Sequence, residues 1–138
     1  MFHYTYTIQK EDINAGNHVG NERALLFFQW ARTNFLKQFG LSQINLGDNT
    51  GLIQLNSYVE YKAQIFLNDE IEIYIDNITI KASKILFDYT VKKSDKILIS
   101  GYTTMTCYDY TLQKVKKIPD SFLELLENYK ILSTNKSL

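Results

Sequence analysis

The residues best suited to chemistry lie between Asp12 and Glu22, where an acid, an amide, an imidazole and a second acid occur close together as Asp12, Asn14, His18 and Glu22. Hydrolysis at a carbonyl needs one device to polarise the carbonyl and another to activate water. His18 has the intrinsic pKa of a base that works near neutrality. Asp12 could orient His18, or act directly if desolvated, and Glu22 is the third candidate for activating water. Asn14 can hold a water or an oxygen by hydrogen bonds, but at neutral pH an amide neither takes a proton nor forms a mixed anhydride. Val19, Gly20 and Asn21 stand just before an apolar run, where backbone N–H groups at a helix start lack partners and favour negative charge. Gly20 would let a ligand approach the backbone closely. Each residue type also has a structural use: Asp12 and Asn14 form turns, Asn21 caps helices and His18 can simply bond the backbone.

Several elements must position these residues. Phe2, Tyr4, Tyr6 and Ile8 alternate with polar residues and predict a strand. Residues 10–21, with two glycines and three asparagines, predict a loop. A helix is predicted from Glu22 to Phe39, with Asn21 as N-cap and Gly40 at C′. Its apolar residues cover more than one stripe, so it should be largely enclosed. After a polar stretch at residues 43–51, period-two runs return: Val59, Tyr61, Ala63, Ile65; then Ile71, Ile73, Ile75; then Ile85, Phe87, Tyr89, Val91; and finally Thr103, Met105, Cys107. Ile78 and Ile80 are out of phase with Ile75, which predicts a bulge near Asp76-Asn77. Asn68-Asp69 and Ser94-Asp95 read as hairpin turns. Pro119-Asp120-Ser121 opens a short closing helix with Phe122, Leu125, Leu126 and Tyr129 on its apolar side, and residues 133–138 read as a frayed tail. The order implies an α+β hotdog fold, with one curved antiparallel five-stranded sheet wrapped around one long central helix, as a single domain over residues 1–132.

Composition removes other classes. Fifteen basic residues balance fifteen acidic ones, so net charge favours neither nucleic acid nor an anionic membrane. The single cysteine, Cys107, allows no intrachain disulfide and no paired metal ligand, and reads as a small core residue; no metal is expected. The apolar cluster Ala24 to Phe28 is too short to span a bilayer, and the first residues lack the pattern of a signal peptide, so a cytoplasmic location is expected. His3 reads as structural or solvated. Tyr58, Tyr61, Tyr89 and Tyr108 read as packing on the sheet.

The segment Glu11 to Arg32, EDINAGNHVGNERALLFFQWAR, resembles the loop-and-helix signature of the 4-hydroxybenzoyl-CoA thioesterase-like hotdog proteins. Asp12 falls on the first position of their acidic pair, Asn14 on the second, Gly16 on the turn glycine and Ala31-Arg32 on the end of the helix signature. Tyr61-Lys62, Phe87-Asp88-Tyr89 and the run from Cys107 to Pro119 extend the resemblance over nearly the whole chain. It implies hydrolysis of an acyl-CoA or acyl-carrier thioester. No cofactor is implied, since coenzyme A belongs to the substrate. It also implies a homodimer, with a dimer of dimers as a further possibility, and a substrate tunnel between protomers. Catalysis would then fall to Asp12, Asn14 and His18, and substrate binding to Val19, Gly20, Asn21, Glu22 and Tyr61. Lys92-Lys93 and Lys114 to Lys117 could meet CoA phosphates. The departure is Asn14, because in the family the second acidic position supplies the catalytic carboxylate. That departure keeps open a non-catalytic acyl-thioester-binding protein. A 2-enoyl-CoA hydratase is a more distant alternative: its D-x-N-P-x-H loop is matched by Asp12-Ile13-Asn14, but Ala15 replaces the proline and His18 comes one residue late.

Overall fold

A computed structural model describes the backbone of residues 2–137 and the side chains of residues 2–130. The elements in chain order are β1 (Phe2–Thr7), a 3-10 turn (Lys10–Asp12), α1 (Arg23–Lys37), β2 (Gly51–Tyr61), β3 (Glu70–Lys81), β4 (Lys84–Lys93), β5 (Lys96–Asp109), β6 (Lys114–Lys116) and α2 (Asp120–Ser137). All strand pairs are antiparallel, in the order β1-β3-β4-β5-β2, and β6 folds back onto β5. The sheet thus has six strands rather than five, because the turn after Asp109 returns a short strand, Lys114–Lys116, that carries little apolar signal.

Period-two patterning explains the buried face. Ile71, Ile73 and Ile75 of β3 point inward, and the register shifts between Ile75 and Asn77 so that Ile78 is inward again. The two-residue turn at Ser94-Asp95 joins β4 to β5, with Ser94 at φ 54°. Asn68 also has positive φ, at 69°, yet Asn68-Asp69 is not a hairpin turn, because β2 pairs with β5 while β3 pairs with β1 and β4. The segment expected as a strand through Val59, Tyr61, Ala63 and Ile65 is divided. β2 starts earlier, at Gly51, and ends at Tyr61, while Ala63 and Ile65 belong to the crossing that leads to β3. On β5, Cys107 is fully buried, which pushes its thiol up to about 11 and makes it a core residue.

Helix α1 lies against this sheet through Ala24, Phe27, Phe28, Ala31, Arg32, Phe35 and Leu36. It begins one residue later than expected, and its N-cap is Glu22 rather than Asn21, with no side-chain capping bond. At the other end Gly40, at φ 71°, takes the expected left-handed position: Gly40 N–H donates to Lys37 O and Leu41 N–H to Leu36 O. Within one chain only one face is enclosed, and Leu25 remains 39% exposed. Helix α2 is 18 residues long, not short, and includes residues 133–137 of the expected frayed tail; Leu138 lies outside the described residues. Its Tyr129 ring meets Phe35 and Phe39 edge-on.

One polar group is sealed between helix and sheet. Arg32 is 4% exposed; its Nε donates to Gln43 Oε1 at 2.9 Å and its Nη1 to Tyr89 Oη at 2.9 Å and Thr103 Oγ1 at 3.4 Å. Tyr89 and Thr103 also bond each other at 2.6 Å, and Phe28 stacks on the Tyr89 ring at 4.2 Å. Burial holds the Tyr89 phenol above its ordinary value although the guanidinium pulls the other way. Arg32 stands well inside the helix rather than at its end.

Candidate active site

The loop between β1 and α1 is built around Asp12. Its side chain is fully buried, and Oδ2 accepts from Tyr6 Oη at 2.6 Å and from Gln9 N–H at 2.8 Å. Arg23 Nε lies 3.5 Å from Oδ1, which accepts no hydrogen bond among the described residues. Burial, and next the bond to Asp12, raise the Tyr6 phenol above its ordinary value, so Tyr6 is a firm donor. The Arg23 guanidinium also reaches Glu11 O. These contacts fasten the end of the first strand to the start of the helix.

Beyond Asp12 the chain makes a narrow excursion closed by the bridge between Ile13 and Val19. Asn14 sits at its exposed end, where its Oδ1 accepts from Gly16 N–H at 2.8 Å and its N–H donates to His18 O at 3.0 Å. Asn17 turns the chain with φ 68°. A Cβ at Gly16 would fall 3.1 Å from His18 Nε2, so the turn closes against the imidazole. His18 Nδ1 is 3.0 Å from Val19 O. A carbonyl can only accept, so Nδ1 carries the proton in the neutral ring and Nε2 keeps its lone pair.

His18, Val19, Gly20 and Asn21 form one wall of a cleft of about 280 Å³; Tyr61, Lys62, Ala63, Gln64, Ile65 and Ile99 form the rest. The walls are joined by Val19 N–H donating to Ile65 O at 2.8 Å and by Tyr61 Oη donating to Asn21 O. The far wall is itself held to the sheet, since Lys62 N–H and Ala63 N–H both donate to Leu98 O.

The three expected backbone donors do not stand alike. Val19 N–H is taken by Ile65 O and Gly20 N–H by Asp12 O, so neither is open to a ligand in this arrangement. Among the described residues, Asn21 N–H and Glu22 N–H have no acceptor. Gly20 C=O accepts Arg23 N–H at 3.0 Å and so points along the helix; across the trans peptide, Asn21 N–H points out of the helix start. The Glu22 side chain has no hydrogen bond or ion pair among the described residues, and its carboxylate lies where a Gly20 side chain would stand. Burial, and then the Glu22 charge, raise the Tyr61 phenol above its ordinary value.

The structure therefore brings together His18, Val19, Gly20, Asn21 and Tyr61, with Glu22 beside them, whereas Asp12 and Asn14 do not line the cleft. Asp12 bonds Tyr6 and Gln9 rather than His18. Sequence reading missed Lys62, Gln64 and Ile99 as cleft residues, and Tyr6 and Arg23 as partners of Asp12. Lys62 follows Tyr61 directly, and that adjacency was the available signal. Among the described residues no cluster of acidic, histidine or cysteine side chains is placed to hold a metal.

The sequence model of the thioesterase-like superfamily matches residues 8–126. The chain is 23% identical over 125 residues to the acyl-CoA thioester hydrolase YbgC of Escherichia coli O6:H1, covering 89% of this chain and 93% of that protein. A crystal structure from Aquifex aeolicus superposes with a TM-score of 0.83 at 26% identity, covering 91% of this chain and 99% of that one. A Staphylococcus aureus protein in complex with CoA superposes with a TM-score of 0.79 at 22% identity, covering 93% of this chain and 82% of that one, which is a likeness of fold.

Proposed function

The chain belongs to the thioesterase-like superfamily, and we propose that it hydrolyses an acyl-CoA or acyl-carrier thioester to the free acid and the thiol. One observation carries this reading: a single cleft holds an imidazole and, at Asn21, an unpaired N–H group at a helix start. The thioester oxygen sits against Asn21 N–H, where partial positive charge meets the oxyanion as it develops. His18 Nε2 takes a proton from water as the hydroxyl oxygen bonds to the carbonyl carbon. The tetrahedral intermediate then collapses with cleavage of the C–S bond, and the imidazolium returns its proton to the departing thiolate.

Asp12 serves the loop rather than the reaction, since its carboxylate is committed to Tyr6, Gln9 and Arg23. Asn14 shapes the turn through Gly16. Val19 and Gly20 act as walls rather than donors. Lys62 supplies a cation at the cleft for the phosphates of CoA, a ligand supported by the CoA bound in the Staphylococcus aureus neighbour. No cofactor is needed, and the reading places the protein in the cytoplasm; among the described residues no helix is long and apolar enough to cross a membrane.

A homodimer belongs to the same reading, with a dimer of dimers as the larger form. Strand β2 is an open edge, and Leu55 and Tyr58 on it are 47% and 50% exposed, like the uncovered Leu25 of α1. Pairing with a second copy would satisfy that edge.

The experiment is release of free thiol from a panel of short, medium, long and aromatic acyl-CoAs, with thermal shift beside it. Turnover well above background is expected for at least one of them. Thermal stabilisation by an acyl-CoA without turnover would reject hydrolysis and leave the acyl-thioester-binding protein that Asn14 suggests.

A further inference from the structure

Two side chains of the cleft take no part in the hydrolysis. Among its polar side chains, His18 bonds Val19 O through Nδ1 and serves the water through Nε2, Tyr61 Oη donates to Asn21 O, and Lys62 Nζ lies 3.5 Å from Glu60 Oε1. The carboxamides of Asn21 and Gln64 have no hydrogen bond among the described residues. They belong to different walls, Asn21 just before α1 and Gln64 on the crossing from β2 to β3. Gln64 is held on both sides. Before it, Lys62 N–H and Ala63 N–H donate to Leu98 O; after it, Ile65 O accepts Val19 N–H. Its neighbours Ala63 and Ile65 are apolar, and Ile65 and Ile99 are buried, so its carboxamide is a polar point set in an apolar stretch of wall.

Acyl-CoA and acyl-carrier thioesters share the arm next to the sulfur: two methylenes, then the first secondary amide of pantetheine. A trans secondary amide directs its N–H and its C=O to opposite sides. One carboxamide cannot take both, but two carboxamides on different walls can, because each carries a donor and an acceptor. With the thioester oxygen at Asn21 N–H, the two methylenes keep this amide within the same cleft. We propose that Gln64 is a specificity-determining residue, whose carboxamide bonds one side of the first pantetheine amide while the Asn21 carboxamide takes the other. The proposal rests on the hydrolytic reading above and names its substrate as a thioester recognised at the pantetheine arm, ahead of any nucleotide or carrier protein. An alkyl thioester of equal length fills the same space but leaves both carboxamides unpaired.

The test compares two thioesters of one acyl group: the N-acetylcysteamine ester, which keeps the first amide, and the S-pentyl ester, in which methylenes replace its N–H and C=O. Wild-type kcat/KM should be about tenfold higher, or more, for the amide-bearing ester. In Gln64→Leu the ratio between the two esters should fall by about fivefold to tenfold, through loss on the amide-bearing ester. Gln64→Met, close to glutamine in shape, should behave alike and stands in if the first variant does not fold. A wild-type ratio near one, or a ratio that both variants leave unchanged, overturns the proposal and makes Gln64 a solvated wall residue. So does a fall that comes only from faster turnover of the S-pentyl ester. Turnover of acyl-CoA without turnover of the N-acetylcysteamine ester overturns it as well, since recognition then lies beyond the first amide. A wild-type protein that hydrolyses neither acyl-CoA nor either ester defeats the hydrolytic reading instead. Binding of the two intact esters, followed by ligand-observed NMR, then decides alone, and no binding, or one ratio shared by wild type and variant, overturns the proposal too.

Discussion

Helix α1 carries two polar centres that follow opposite rules. At Arg32 every observed contact closes a valence: a guanidinium, a phenol, a hydroxyl and an amide satisfy one another between helix and sheet. At the helix start, valences are left open: Asn21 N–H, Glu22 N–H and the Glu22 carboxylate have no partner among the described residues. Buried polar groups are ordinarily satisfied, so a closed network holds the fold together while open donors beside a cleft await a ligand. Asp12 lies between the two cases. It is as buried as Arg32 and nearly closed, with only Oδ1 lacking a hydrogen bond, and it belongs to the scaffold that holds the open donors in place.

Substitutions on the two sides should separate activity from stability. The largest effect is expected from His18→Ala, which should lower kcat by about a hundredfold to ten-thousandfold in thiol-release assays. Its stability should change by less than about 0.5 kcal/mol, since His18 is only half-buried and makes one bond to backbone. Tyr89→Phe acts on the closed centre. It removes the nearer acceptor of Arg32 Nη1, and urea unfolding should show a loss of about 3 kcal/mol.

Tyr6→Phe should cost somewhat less, about 2 kcal/mol, because one donor to a buried carboxylate is lost while Gln9 N–H remains. It should also change the alkaline limb of stability. The folded-state phenol holds its proton past the ordinary tyrosine value, so its contribution is complete below about pH 10 and lost as pH rises through the raised folded value. Urea midpoints between neutral and alkaline pH should fall less steeply for Tyr6→Phe than for wild type. The smallest effect is expected from Asn14→Asp. It restores the family's carboxylate at an exposed turn outside the cleft, so kcat should change by less than about threefold. A tenfold rise would bring Asn14 into the reacting centre and weaken the contrast between the two regions.

The sequence reading was strongest where period and punctuation agreed. The isoleucines of β3 and their phase change located the bulge, and Gly40 located the helix end. It failed where tertiary contacts outweigh local type. β6 has three residues and two lysines, and nothing local says that it will pair with β5. Ala63 and Ile65 continue the alternation of β2, yet they leave the sheet to form the far wall of the cleft. The loop was legible as a site because residue types that suit acyl chemistry crowd into it. Which N–H groups remain open was not, because the acceptors that close Val19 and Gly20 are Ile65 and Asp12, and only the folded chain brings them there. Tyr6 and Arg23 escaped notice for the same reason.

The most direct test of this contrast is to measure kcat per folded molecule and unfolding free energy on the same preparations of His18→Ala and Tyr89→Phe. The account predicts that His18→Ala loses turnover while keeping its stability, and that Tyr89→Phe loses stability while each folded molecule keeps wild-type turnover. Wild-type turnover in His18→Ala, or lost turnover in fully folded Tyr89→Phe, would contradict it and move the reacting centre away from the helix start.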